Sequence, residues 1–201
     1  MPIPIYLSEG RIAIRLISLR NATRLKQLLL ENRGWLEEWE ATYPGFVRPL
    51  TPAFSMRPVV KSLLDSYKSG TGLPFVIEYD GTVVGQVSVS TIVRGSLSSA
   101  QIGYWIAEEY AGRGITPVAV MLATDYAMRV GGLHRIEICI RPENAASLRV
   151  VEKLGFRYEG RRANYIHINN RWCDHDCFAL TVEDIPDGLR ARYIGETARR
   201  H

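Results

Sequence analysis

The chain has 201 residues, of which 46% are hydrophobic and 23% charged, as expected of one soluble globular domain able to bury a sizeable core. Its formal charge of +4 and pI near 9.0 suit acidic surroundings, but no basic run with interleaved aromatics marks a nucleic-acid surface. No apolar run approaches the ~20 residues of a membrane span, Met1-Pro2-Ile3-Pro4-Ile5 lacks a signal-peptide pattern, and three cysteines fit a reducing cytosol better than a disulfide framework.

In chain order, Arg11 to Ser18 alternates like a first strand, and Arg20 to Asn32 reads as a helix with Ala22, Leu25, Leu28 and Leu29 inward. Gly34 to Pro44, with Trp35, Leu36 and Trp39, reads as a short helix or helical loop. Thr51-Pro52 is a candidate cap for a third helix running through Tyr67. Leu73 to Tyr79 and Thr82 to Ser90 form a hairpin around Asp80-Gly81, a favoured two-residue turn. Gln101 to Ile106, a helix opening at Ala111-Gly112-Arg113-Gly114-Ile115-Thr116, and Arg135 to Ile140 make a β-α-β unit, which implies two neighbouring parallel strands. In that helix Ile115, Val118, Ala119, Leu122 and Tyr126 give a buried stripe. Glu143 to Leu154 follows as a helix ended by Gly155. Phe156 to Ile168 and Arg171 to Thr181 pair across Asn169-Asn170, and Ile185 to His201 reads as a polar, partly helical tail.

A glycine turn between a strand and a helix start is a place for phosphate, because free N–H groups and the positive dipole end converge there. Gly112 and Gly114 allow close approach, and Pro117 costs little, since the first helical N–H groups lack partners anyway. Neither G-x-x-x-x-G-K-[ST] nor G-x-G-x-x-G is present, and alone the Gly112-Arg113-Gly114 turn is equally an ordinary tight turn.

The second half adds Arg141-Pro142-Glu143-Asn144-Ala145-Ala146-Ser147 and Val150-Val151-Glu152-Lys153-Leu154-Gly155-Phe156. Together these segments resemble the Gcn5-related N-acetyltransferase (GNAT) superfamily over roughly Arg11 to Thr181. Downstream, Glu159-Gly160, Tyr165, Trp172, Asp174 and His175 look like the branch that acetylates N-terminal alanines of ribosomal proteins. The resemblance implies an α/β (α+β) GNAT fold, a mixed sheet of about seven strands with helices on both faces, over residues 1–182, with 183–201 as a tail. It also implies acetyl-coenzyme A as co-substrate, no metal, and a monomer or homodimer in the cytoplasm. The acceptor is then a protein N-terminus or a small amine.

The resemblance assigns the pyrophosphate to Ala111, Gly112, Arg113, Gly114, Ile115 and Thr116. Ala111 and Thr116 stand where the family usually has Gln or Arg and Gly or Ala, but a main-chain cradle does not depend on them. Asn144 is expected beside the pantetheine arm or as the helix cap. Ser147, three residues after Asn144 and so on the same helix face, is expected as hydrogen-bond donor and general acid to the leaving thiolate, as the resemblance implies for the serine that this branch carries there. The tyrosine acid that many relatives carry four residues later is here Val151. A main-chain N–H near Ile106 or Ala107 is expected to hold the thioester carbonyl.

Trp35, Trp39, Tyr43 and Phe46 are candidates for one wall of the acceptor slot, and Tyr165, His167, Trp172 and Asp174 for the other. Glu40, Glu108, Glu109 and Glu137 are candidates for a base, with Glu40 also a candidate acceptor contact. A strong base is not required for every acceptor. An α-amine with pKa ~7.7–8.0 is about a quarter neutral near pH 7.4, and lysine at ~10.4 about one part in a thousand, a difference of roughly 3–4 kcal/mol.

Two other readings stand beside this one. The Glu37-Glu38-Glu40 cluster suits a cationic small-molecule acceptor such as an aminoglycoside or polyamine. Thr116, Val151 and the missing base suit a non-catalytic acetyl-CoA sensor or scaffold. Cys173, His175 and Cys177 alternate on one strand face, but a structural zinc wants a second ligand couple, which the chain lacks.

Overall fold

The computed structural model describes residues 5–45, 51 and 53–198; Phe46 and Pro52 lie outside the described residues. Eight strands form one sheet in the order β1-β2-β3-β4-β5-β6-β8-β7, comprising β1 (Tyr6–Glu9), β2 (Ile12–Leu16), β3 (Leu73–Tyr79), β4 (Thr82–Val93), β5 (Ser99–Ile106), β6 (Arg135–Ile140), β7 (Arg157–Ile168) and β8 (Arg171–Thr181). The helices are α1 (Ala22–Glu31), α2 (Arg33–Leu36), α3 (Arg57–Lys68), α4 (Ile115–Asp125), α5 (Ala145–Lys153) and α6 (Leu189–Ala198).

The strand absent from the sequence reading is β1, an edge strand that alternates between exposed and half-buried residues and so has no buried face to betray it. Every strand pair is antiparallel except β5 with β6, the pair joined through α4. Both expected two-residue hairpin turns form: Asp80 and Gly81 take φ of 48° and 75°, Asn169 and Asn170 45° and 63°, the left-handed pair such turns demand.

Two expectations about helices are corrected. The third helix starts at Arg57, capped at Met56 with Pro58 in its first turn, so Thr51 does not cap it; the Thr51 carbonyl instead accepts the Phe54 N–H at 2.9 Å. Helix α4 is buried on nearly every side, including Val120, Met121, Ala123 and Thr124 beyond the expected stripe. Besides the sheet, both α5 and α6 pack on α4. The Asp125 carboxylate at the end of α4 accepts the Leu189 and Arg190 N–H groups at 2.7 and 2.9 Å, while Ile185 and Leu189 join the main core.

Candidate active site

Strands β5 and β6 run side by side over three pairs only, Ser99 with Arg135, Ala100 with Ile136 and Gln101 with Glu137. Beyond them β5 stays with β4 as far as Ile106, and β6 stays with β8 as far as Ile140. A wedge therefore opens at the carboxyl ends of the two parallel strands, where open α/β sheets bind ligands. The Ala107 N–H donates to the Val84 carbonyl at 2.9 Å. Antiparallel alternation then turns the N–H groups of Tyr104 and Ile106 away from β4, toward the wedge. Of the two expected carbonyl-holding groups, the Ala107 N–H is thus engaged in the sheet and the Ile106 N–H faces the open side. The Ile106 carbonyl, on that side, accepts the Trp35 indole N–H at 3.1 Å.

At the head of the wedge the glycine turn enters α4. Gly112 and Gly114 have φ of 75° and 77°, a region in which glycine is the inexpensive residue. No acceptor among the described residues takes the N–H groups of Gly112, Arg113, Gly114, Ile115 or Thr116. Five unpaired donors around a helix start form an anion cradle. The Arg113 side chain is exposed and lies over the Tyr110 ring, 5.4 Å from its centroid, so the main chain supplies this cradle.

A groove of about 390 Å³ leads from the turn between the end of β5 and α5, with Trp35 and Trp39 on its far side. A second cavity, of about 170 Å³, lies on the other side of the wedge and is lined from β5, β6, β7 and β8. Trp39, Tyr104, Asn144 and Ser147 line both and so stand where the two meet. Asn144 is the cap of α5, its side-chain oxygen accepting the Ser147 N–H at 3.0 Å. The Ser147 carbonyl accepts the Tyr104 hydroxyl at 3.3 Å, while the Ser147 hydroxyl makes no hydrogen bond to the described residues and remains available as a donor.

The second cavity has a mixed lining, with Ile102, Ile138, Ile140, Ile166 and Ile168 on its apolar side and Tyr104, Asn144, Ser147, Arg141 and His175 as its polar groups. No carboxylate lines it among the described residues. Arg141 is 6% exposed; it donates to the Glu38 carbonyl at 2.9 Å and lies over Trp39, 5.3 Å from the ring centroid. Its Nε lies 3.2 Å from a Glu143 carboxylate oxygen without the alignment of a hydrogen bond. The loop after α2 roofs the cavity by pairing with the end of β7: Ala41 bridges Ile168, and the Thr42 N–H donates to the His167 carbonyl at 2.8 Å.

Burial decides the proton state of these groups. It pushes the Tyr104 phenol well above the ordinary tyrosine range, keeping it a neutral hydroxyl. Burial, and then the Cys177 thiol 2.9 Å away across the strand pair, push Cys139 up to about 12, so Cys139 stays a thiol. Burial lowers the pKa of His175.

Several expected residues lie elsewhere. Glu40 is exposed and ion-paired with Arg33, outside both cavities. Trp172 is 54% exposed, edge-on to His167 near the tip of the last hairpin, and Tyr43 is 78% exposed. Tyr165 sits behind the cavity wall, its ring 5.9 Å from that of His175 and its hydroxyl taking hydrogen bonds from Gln101 and Arg162. Asp174 accepts the Asn164 N–H at the irregularity in β7. His167 bonds the Thr42 hydroxyl. Glu108 and Glu109 are exposed, and Glu137 pairs with Arg135 and Arg162. Among the described residues no group of side chains could hold a metal, and no helix is long and apolar enough to cross a membrane. The sequence reading missed Tyr104 and Arg141; only the alternation of Ile102, Tyr104 and Ile106 hinted at a shared face of β5.

Residues 11–157 match the family model described as an acetyltransferase (GNAT) domain. The chain is similar to the [ribosomal protein uS5]-alanine N-acetyltransferase of Escherichia coli, with 29% identity over 92% of this chain and 94% of that protein. It also matches the probable N-acetyltransferase YjcK of Bacillus subtilis, at 42% identity over 52% of this chain and 58% of that protein. Among solved structures, Mycobacterium smegmatis RimJ in complex with CoA-disulfide superposes with a TM-score of 0.84 at 30% identity, covering 96% of this chain and 94% of that one. With its divided sheet, glycine turn and capped α5, the chain belongs to the GNAT acetyltransferase family.

Proposed function

We propose that this protein transfers an acetyl group from acetyl-CoA directly to the N-terminal α-amine of a protein, with alanine-initiated ribosomal proteins as the first acceptors to consider. Five unpaired N–H groups at the turn suit the diphosphate of the co-substrate, and the groove between β5 and α5 suits its pantetheine arm. Bound there, acetyl-CoA supplies an activated acyl group as a thioester. The N–H groups of Tyr104 or Ile106 polarise its carbonyl, and the Ser147 hydroxyl donates to the departing sulfur. A cytoplasmic location follows from such an acceptor.

The observation that carries the choice of acceptor is the charge of the second cavity, which offers Arg141 and no carboxylate. A polyamine or aminoglycoside would bring several positive charges against that guanidinium, whereas a peptide N-terminus brings one, on a chain that is otherwise neutral there. The acidic cluster that favoured small cations is turned outward: Glu37 and Glu40 both pair with Arg33.

Release of CoA thiol, followed with an alanine-initiated peptide and with spermidine at equal concentration, tests this reading. The peptide should be preferred by at least tenfold in kcat/KM. Preference for spermidine would overturn it, and acetyl-CoA binding without turnover on any amine would support a sensor instead.

A further inference from the structure

The acceptor must lose a proton before it attacks, and none of the four glutamates considered as bases lines the acceptor cavity. His175 lines it, from the middle of β8, and is only 3% exposed. Its Nδ1 lies 3.0 Å from the Cys173 carbonyl. A carbonyl oxygen can only accept, so Nδ1 carries the proton and the neutral ring presents a lone pair at Nε2. No described residue hydrogen-bonds Nε2. Tyr165 meets the ring at 72° from one side, with 5.9 Å between centroids, and the strand carbonyl holds its tautomer. This is a side chain oriented by a partner, in a cavity, with its basic atom unengaged.

We propose that His175 is the proton acceptor for the amine, through Nε2, directly or by one water. The inference rests on the α-amine reading above. The ammonium N–H bond breaks and its proton joins Nε2, giving an imidazolium that releases it to solvent. The freed nitrogen lone pair forms the N–C bond as the C–S bond breaks. The second proton lost by the nitrogen balances the one that the departing sulfur receives by way of the Ser147 hydroxyl.

The surroundings set the strength of this base. Arg141, from the loop after β6, opposes a charge on the ring, while Glu143 and Asp174 favour one. Arg162 stands opposite on β7, where it pairs with Glu137; Cys139 remains a neutral thiol, as Tyr104 remains a neutral phenol. Burial outweighs the acids and holds His175 below the usual histidine value. Such a base stays neutral throughout the physiological range. It is too weak to deprotonate lysine readily, but accepts the proton of an α-amine with pKa ~7.7–8.0 at far smaller cost.

The test is the pH dependence of kcat/KM with an alanine-initiated peptide, for the wild type, His175→Asn and His175→Gln. With His175 as base, the acid limb of the wild type lies below about pH 6.5. In the variants only peptide already neutral in solution reacts, so the limb moves to the amine's own ~7.7–8.0. The ratio of wild-type to variant kcat/KM should therefore grow about tenfold between pH 8.5 and 6.5. A ratio that stays constant with pH, which a merely structural role would give, overturns the proposal. So does a wild-type limb already at 7.7–8.0, which needs no folded variant to observe. Wild type that leaves the peptide unmodified at every pH overturns the α-amine reading itself, and with it the role of His175 toward such an amine.

Discussion

Gly114→Ala separates the phosphate cradle from the rest of the groove. Gly114 has φ 77° and ψ 5°, and a Cβ added there meets no atom within 4 Å. The substitution therefore carries no clash within the protein, only the left-handed backbone, worth about 1–2 kcal/mol for a residue with a side chain. A stiffer unfolded chain returns about 0.4–1 kcal/mol. If the strain stays in place, net stability falls by about 0–1.6 kcal/mol, and Tm by no more than about 6 °C for a domain of this size. If the turn relaxes instead, the five N–H groups diverge and the strain appears as lost affinity, roughly 5- to 30-fold in Kd at 1.4 kcal/mol per decade. Calorimetric titration with CoA and with pantetheine, which lacks the diphosphate, distinguishes the two outcomes when paired with a thermal melt. The expected result is weakened CoA binding with pantetheine changed by less than about twofold, or intact binding with a lowered Tm. Equal weakening of both ligands would refute the cradle, because the damage would then lie in the groove as a whole.

Other consequences follow from the same geometry. Ser147→Ala should lower kcat by about 10- to 100-fold and leave the Kd for CoA within twofold, since a positioned acid is worth 10²–10⁴ and a thiol is an undemanding leaving group; stopped-flow thiol release checks this. Asn144→Ala removes the cap of α5 and should cost about 1 kcal/mol, read as a Tm lowered by about 2–4 °C. Trp35→Phe deletes the indole donor to the Ile106 carbonyl and should cost about 0.5–1.5 kcal/mol in urea unfolding. Because His175 has a lowered pKa in the folded protein, the unfolded chain binds the proton more readily. Stability should then be full above about pH 6.5 and decline as pH falls toward the lowered folded value, with a shallower decline in His175→Asn.

How much of this was legible depended on where the information lay along the chain. The turn at Gly112 to Thr116 could be read because its two glycines answer a local demand for positive φ that few other residues meet. The hairpin turns at Asp80-Gly81 and Asn169-Asn170 were readable for the same reason. The edge strand β1 was not, since neither of its faces is buried and alternation leaves no hydrophobic trace. The burial of α4 on nearly every side depends on α5 and on α6, the latter more than 60 residues further on, as well as on the sheet, so its own letters showed only one stripe.

The second cavity is the extreme case. Tyr104, Arg141 and His175 come from β5, the loop after β6 and β8, and they meet only because the sheet order places β6 between β5 and β8 and then opens the wedge. Glu40 and Trp172 misled for a complementary reason. Their residue types suit an amine-binding wall, but Arg33 holds Glu40 outward and the last hairpin carries Trp172 beyond the cavity. Asn144 and Ser147, three residues apart on one short helix, were legible as a pair, and they line the junction of the groove and the cavity.

The central claim, transfer to an α-amine, is tested most directly by mass spectrometry after incubation with acetyl-CoA and two peptides offered together. One has a free N-terminal alanine and no lysine; the other is N-blocked with an internal lysine. The account predicts a single acetyl group on the first peptide and none on the second. Acetylation of the lysine peptide at a comparable rate would contradict it, since neither the weak base nor the carboxylate-free cavity provides for an amine that is almost wholly protonated.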